Sequence, residues 1–346
     1  MNNIIKQLIR GRVLSIVFFV LLAIGCPALS AYSDNWTNIN KKKYVPISPL
    51  NLDEPYPGQG SFRLYFDFYK LNIPDIKHYF GSFISNGYII AANVFRPENH
   101  KATVFLLHGY FDHTGTLKDT IHFLVNEGFA VAAYDMPGHG LSSGERVSIS
   151  DFKVYSDILN DFVSLYQTKF PGPLHIIAHS TGCAATIDFI LTTDNMPFDK
   201  IILIAPLVHS YGWYLSKTGM FLCSPFFDSV PRKFVKNSSN TEFLKFVKEK
   251  DPLQYRKVPL QWVTSLFKWN GSFQDYGVSS KNLLVIQGNL DKTVAWRYNL
   301  KKIKEKFPKA EIKIIKNGRH HLLNESFELQ KRTFNTILIY LEHTVD

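Results

Sequence analysis

From about residue 83 to the end of the chain, short apolar runs alternate with longer stretches in which apolar residues return every three or four positions. The runs at 89–95, 103–107, 129–134, 174–178, 200–205, 283–287 and 311–316 read as strands. Between them, the spacing predicts helices over 116–126, roughly 150–169, 181–191, 296–307 and 325–341. The strands are apolar on both faces and are separated by helices. This predicts an α/β chain with a mostly parallel central sheet and helices on each side.

The rhythm breaks once. Between about 207 and 275 no strand–helix alternation is visible, yet the segment carries fourteen aromatics, among them Trp213, Phe226, Phe227, Trp262 and Trp269. It is too apolar for a linker. Ser239-Asn240-Thr241-Glu242 reads as a capping box, with Phe243, Phe246 and Val247 following on one helical face. The segment is expected to be a helical cap inserted over the carboxyl edge of the sheet, most of its aromatics packing its own core. Ahead of the domain, Pro46, Pro49, Pro55 and Pro57 suggest that 32–82 is an extended arm.

The first residues add a different signal. Lys6, Arg10 and Arg12 precede an uncharged apolar stretch from Val13, and Ala28-Leu29-Ser30-Ala31 supplies small residues for cleavage. Residues 1–31 are therefore expected to be an export signal or a retained N-terminal anchor, with lipid attachment at Cys26 as a third reading. The expected location is outside the cytoplasm of a bacterial cell: periplasmic, secreted or membrane-associated. The three basic residues of this segment supply 3 of the formal charge of +10, leaving +7 on 32–346. A basic surface suits an anionic membrane or simple solubility. No basic helix or aromatic ribonucleoprotein signature accompanies it, so nucleic acid is not an expected partner. Only Cys183 and Cys223 lie beyond the first 31 residues, too few for a disulfide framework. The composition, 45% apolar and 20% charged, excludes disorder.

Candidate chemistry begins at Ala178-His179-Ser180-Thr181-Gly182, between a strand and a helix. A tight strand–turn–helix elbow exposes a serine, needs small neighbours, and aims the free N–H groups of the helix at an oxyanion. A serine nucleophile needs a base, and the base needs an orienting carboxylate. Asp291 follows the strand at 283–287, and His320 and His321 follow the strand at 311–316. Carboxyl ends of parallel strands share one sheet edge, so these groups can converge on Ser180. The residues alone leave His320 and His321 as rival bases. Thr181 N–H and Tyr110 N–H, the latter in the loop His108-Gly109-Tyr110-Phe111-Asp112-His113, are the expected oxyanion donors. Cys183 is expected to pack behind the serine, and His122, His175, His179 and His209 to be structural. No metal-ligand spacing, phosphate-binding loop or dinucleotide fingerprint is present, so neither metal nor cofactor is inferred.

These segments resemble the monoglyceride lipase and lysophospholipase branch of the α/β-hydrolases. The loop 108–113 is similar to that branch's His-Gly-x-x-Glu/Asp-His. Asp135-Met136-Pro137-Gly138-His139-Gly140-Leu141-Ser142-Ser143-Gly144-Glu145-Arg146 is similar to its Asp-x-x-Gly-His-Gly-x-Ser-x-Gly-x-Arg. Arg319-His320-His321-Leu322-Leu323-Asn324-Glu325 matches Arg-His-x-Leu-x-Asn-Glu, which places the base at His320. Asp251-Pro252-Leu253 and Trp262 look like the bacterial lysophospholipases. The match covers 83–346, and its main departure is Ala178 where the family usually has Gly. It implies a serine hydrolase with Ser180 as nucleophile, His320 as general acid/base, Asp291 as orienting carboxylate and a lipid ester as substrate. A small-ester carboxylesterase or serine peptidase on the same fold is the alternative, and a non-catalytic binding protein a further one.

Overall fold

The computed structural model describes residues 46–343, apart from 61, 168, 170, 171, 194 and 195. The expected export or anchor segment, 1–31, lies outside the described residues.

Eight strands form one sheet: β1 (Lys77–Ser85), β2 (Tyr88–Arg96), β3 (Ala102–Leu107), β4 (Phe129–Tyr134), β5 (Leu174–His179), β6 (Phe198–Ile204), β9 (Leu284–Gly288) and β10 (Glu311–Ile315). Their spatial order is β1-β2-β4-β3-β5-β6-β9-β10. β1–β2 and β2–β4 pair antiparallel, and every other pairing is parallel. β3, β4 and β9 are buried along their whole length, which is why they read as unbroken apolar runs.

Helices α1 (Arg63–Phe68), α2 (Lys118–Asn126), α3 (Lys153–Tyr166), α4 (Thr181–Thr192), α8 (Trp296–Lys306) and α9 (Phe327–Glu342) flank the sheet. Tyr155, Phe162, Ile187 and Ile303 of α3, α4 and α8 fill one face. Ile121, Leu124, Ile337 and Leu341 of α2 and α9 fill the other, together with Phe66 of α1.

The N-terminal arm departs from the sequence reading. Its last residues, from Lys77, belong to β1, and α1 sits in a stretch expected to be extended. β1 escaped detection because it mixes polar and apolar residues, with His78, Ser82 and Ser85 set among Tyr79, Phe80 and Phe83. It turns into β2 through Asn86-Gly87, both with positive φ, as a two-residue hairpin requires. The arm covers this edge. Leu50 N donates to Ser82 O (2.9 Å) and Ser82 N to Ser48 O (2.8 Å). A Cβ on Gly81 would sit 2.4 Å from the Leu50 backbone, so glycine is what lets the arm lie so close. An uncovered edge would invite pairing with another chain.

Between β6 and β9 the chain forms α5 (Trp213–Cys223), β7 (Ser229–Pro231), α6 (Thr241–Lys245), a π-turn over Phe246–Lys250, β8 (Lys257–Pro259) and α7 (Leu260–Asp275). β7 and β8 pair antiparallel, a small sheet that the reading as a purely helical cap did not contain. The helix cap is also displaced by one residue. Asn240, not Ser239, caps the helix, its Oδ1 accepting from Phe243 N (3.0 Å), and the Ser239 amide, which the expected box would pair with Glu242, goes to Glu325 Oε2 (2.7 Å). The insertion is pinned to the body by Asp188, a fully buried carboxylate of α4. It accepts from Trp269 Nε1 (2.8 Å), Tyr276 OH (2.6 Å) and Ser156 Oγ (2.5 Å).

Candidate active site

β5 ends at His179 and α4 begins at Thr181, leaving Ser180 between them at φ 51°, ψ −108°. A non-glycine residue there costs about 1–3 kcal/mol and persists only when its surroundings fix it. Four bonds do so. Ser180 N donates to Ile204 O (3.0 Å), and Ser180 O accepts from Cys183 N (3.0 Å), Leu207 N (3.2 Å) and Ala184 N (3.3 Å). A Cβ on Gly182 would meet His108 O at 2.7 Å, so glycine seats α4 against the end of β3. Cys183 is buried, its thiol donating to Ala178 O (3.0 Å) and pushed up in pKa by burial. It packs behind the serine.

Ser180, His320 and Asp291 meet. His320 Nε2 lies 3.0 Å from Ser180 Oγ, and Nδ1 lies 2.8 Å from Asp291 Oδ2. A carboxylate only accepts, so Nδ1 carries the proton and Nε2 offers its lone pair to the serine hydroxyl. Asp291 Oδ1 also accepts from Thr293 N (2.7 Å) and Val294 N (3.2 Å), and Oδ2 from Gln287 Nε2 (3.1 Å). Burial pushes the Asp291 pKa up, but the facing His320 and these donors outweigh it and hold the group below the usual carboxylate value. The loops carrying the two partners close on each other. A Cβ on Gly288 would fall 2.3 Å from Arg319 O and 2.4 Å from Gly318 O.

His321 points elsewhere. Its Nδ1 lies 3.8 Å from Asp112 Oδ2, its ring packs on His179 and Phe243, and burial pushes its pKa down to about 3. Thr181 opens α4, so its amide is one of the helix's free donors. Tyr110 follows Gly109, where a Cβ would meet Ser180 Cβ at 3.1 Å. Among the described residues neither amide donates a hydrogen bond. The Tyr110 side chain is fixed by its OH on Val147 O (2.8 Å) and by stacking on Trp262 of α7 (3.7 Å between centroids).

Sequence reasoning missed what backs this loop. His113 Nε2 donates to the buried Asp251 Oδ2 (3.1 Å), and Tyr69 OH donates to Oδ1 (2.6 Å). The N-terminal arm, the loop 108–113 and the cap insertion therefore share one carboxylate. Tyr69→Phe is expected to lower unfolding free energy by about 2 kcal/mol, since a charged acceptor loses a buried donor. Denaturant unfolding measures this, and a change below about 0.5 kcal/mol would show the bond to be idle. Also missed was the meeting of Asp112, His179 and His321, which come from two loops and the end of β5 with no ligand spacing to announce them.

Buried histidines set the pH response. Burial pushes His78 and His209 down to about 4 and His321 to about 3, from an ordinary 6.5. The unfolded chain then binds more protons in acid, so this stability is present above pH 6.5 and is lost as pH falls toward 3–4. Asp112, Asp251 and Asp291 are held below 3.8, where facing histidines and donors outweigh burial, and they continue the loss at lower pH. His113 runs the other way, because Asp251 outweighs burial and raises it. Its contribution is present below pH 6.5 and disappears as pH rises through its folded value. The net expectation is a melting temperature that falls steadily between pH 7 and 4. A Tm flat or rising across that interval contradicts the neutral burial of these rings.

Residues 98–326 match the family described as serine aminopeptidase, S33. Human monoglyceride lipase is 37% identical over 111 residues, 31% of this chain and 36% of that protein. Mouse monoglyceride lipase is 32% identical over 143 residues, 40% of this chain and 45% of that protein. The chain thus spans less than half the length of these curated relatives. Among solved structures, a soluble variant of monoglyceride lipase from Saccharomyces cerevisiae superposes with TM-score 0.66 at 16% identity, covering 77% of this chain and 95% of that one. A monoacylglycerol lipase from Paleococcus ferrophilus gives TM-score 0.61 at 18% identity, covering 73% and 98%. At these identities the likeness is one of fold.

Proposed function

Because the chain belongs to the serine aminopeptidase, S33 family and has the α/β-hydrolase fold, we propose that it is a serine hydrolase that cleaves carboxylic esters of single-chain lipids, lysophospholipid or monoacylglycerol. The observation that carries the reading is the relay Ser180 Oγ–His320–Asp291 at 3.0 and 2.8 Å. His320 takes the Ser180 proton as Oγ attacks the ester carbonyl, and Asp291 stabilises the imidazolium. The Tyr110 and Thr181 amides receive the oxyanion, with the α4 N-terminus adding its dipole. His320 then protonates the departing alcohol, leaving an acyl group on Ser180. Water, activated by the same histidine, releases the fatty acid.

Two observations favour a lipid. Tyr214, Leu215, Phe221 and Phe226, on and just after α5, are 72–80% exposed, an apolar face suited to an acyl chain or a lipid surface. The human and mouse relatives are monoglyceride lipases by name. Export and attachment to a membrane surface belong to the same reading, supported by the basic front and apolar stretch of residues 1–31. No helix among the described residues is long and apolar enough to cross a membrane.

The test is a substrate panel given to the purified protein: lysophosphatidylcholine, monoacylglycerols, short nitrophenyl esters and aminopeptidase substrates. Fastest turnover of the single-chain lipids is expected. Preference for short soluble esters would refute the lipid assignment. The family's description favours peptide hydrolysis as a second reading, and cleavage of the aminopeptidase substrates alone would select it.

A further inference from the structure

Beside the triad, and not part of it, lie Asp112 of the oxyanion loop, His179 at the end of β5 and His321 after β10. One ligand atom from each lies within 4.8 Å of the others, and all three residues are buried. Their hydrogen-bonding roles do not match. His179 Nε2 faces the His320 carbonyl at 3.2 Å, and a carbonyl only accepts, so that nitrogen carries the proton. In the neutral ring Nδ1 is then a bare lone pair, aimed at the Asp112 carboxylate 3.5 Å away. Asp112 is 4% exposed, and His321 Nδ1, at 3.8 Å from the same oxygen, is again too far for a charge-assisted hydrogen bond, normally about 2.7–2.9 Å. In that tautomer two acceptors face each other in a buried pocket, a mismatch that either a metal ion or a second proton on the ring relieves. Gly109 leaves room, because the Cβ it lacks would lie 2.9 Å from His179 Nδ1 and 3.3 Å from Asp112 Oδ2.

We propose that Asp112, His179 and His321 form a binding site for one divalent transition-metal ion of the zinc class, and that its occupancy silences Ser180. Two imidazole nitrogens and one carboxylate oxygen suit zinc, whereas calcium and magnesium favour all-oxygen sets. Bonds of about 2.0–2.2 Å in tetrahedral array separate ligand atoms by roughly 3.3–3.5 Å. The Asp112–His179 separation already fits, and His321 has to move inward. The fourth position stays open to water. The ion stands beside the nucleophile, on a ring whose other nitrogen holds the His320 backbone. Its charge opposes the imidazolium that must form on His320 during attack, and its pull on Asp112 draws on the oxyanion loop.

The competing account is a proton: His179 doubly protonated and paired with Asp112. Equilibrium dialysis of the EDTA-stripped full-length protein against Zn²⁺ separates the two. One Zn²⁺ per chain is expected, with affinity reduced about tenfold or more in Asp112→Asn and in His321→Ala. Absence of stoichiometric binding, or binding in both variants as tight as in the parent, overturns the site. Labelling of Ser180 by a fluorophosphonate should slow about tenfold on loading, recover with EDTA, and stay unaffected by Zn²⁺ in His321→Ala. Unchanged labelling of the loaded protein overturns the silencing. The silencing rests on the nucleophile assignment, but the dialysis needs no turnover. Failure of the metal-free protein to label would count against the hydrolase reading and leave the metal result standing.

Discussion

Ser180→Ala and His320→Ala are each expected to lower kcat by about 10⁶, and the double variant should be no slower than either. The three groups act as one relay. Without the hydroxyl there is no acyl acceptor, and without the imidazole the hydroxyl keeps its proton. What survives is catalysis by the oxyanion donors and by binding, about 10³–10⁴ over water. Neither change should unfold the chain, because the bonds holding Ser180 are backbone ones to Ile204, Cys183, Ala184 and Leu207. Steady-state kinetics on the preferred ester, with melting curves as the folding control, gives the answer. Substantial turnover by Ser180→Ala sinks the acyl-enzyme. His321→Ala, in metal-free buffer, should stay within a few-fold of the parent, because its ring faces Asp112 and not Ser180. The reverse pattern would transfer the base to His321.

Asp291→Asn is expected to cost about 10⁴ in kcat with little change in fold. The reason lies in which oxygen is engaged by what. Oδ1 accepts from the Thr293 and Val294 amides, so the asparagine carbonyl must take that side. Its NH₂ then faces His320 Nδ1, where a donor meets a donor. His320 is pushed to the other tautomer, protonated at Nε2, and cannot accept the Ser180 proton. A loss smaller than about tenfold would mean that another group orients the ring. Of the described residues, Asp291 is the carboxylate bonded to it.

The legible parts of this fold are those where burial acts on both sides. β3, β4 and β9 are apolar at nearly every position because helices cover both faces, and the elbow was legible because a strand, a serine with small neighbours and a helix follow in order. β1 was not legible, since polar residues interrupt its apolar ones and the cover over its face and edge comes from the arm. The capping box expected at Ser239 does not form: Asn240 caps α6, and the Ser239 amide that the box would pair with Glu242 goes to Glu325, 86 residues away.

By itself, the sequence determined the alternation of layers, the position of the insertion, and the Ser–Asp–His order at the strand ends. Each of these is written in local periodicity or short motifs, which neighbouring residues impose. Its local pattern left His320 and His321 as rivals, separated only by the family resemblance, because adjacent residues on a loop have no periodicity to say which way each ring turns. Tertiary structure decided that, turning His320 between Ser180 and Asp291 and His321 toward Asp112. It alone brought Tyr69 to Asp251 across 182 positions of chain, and set Asp112, His179 and His321 around one small space. Such contacts depend on where separate loops end over the sheet, and no local pattern encodes that.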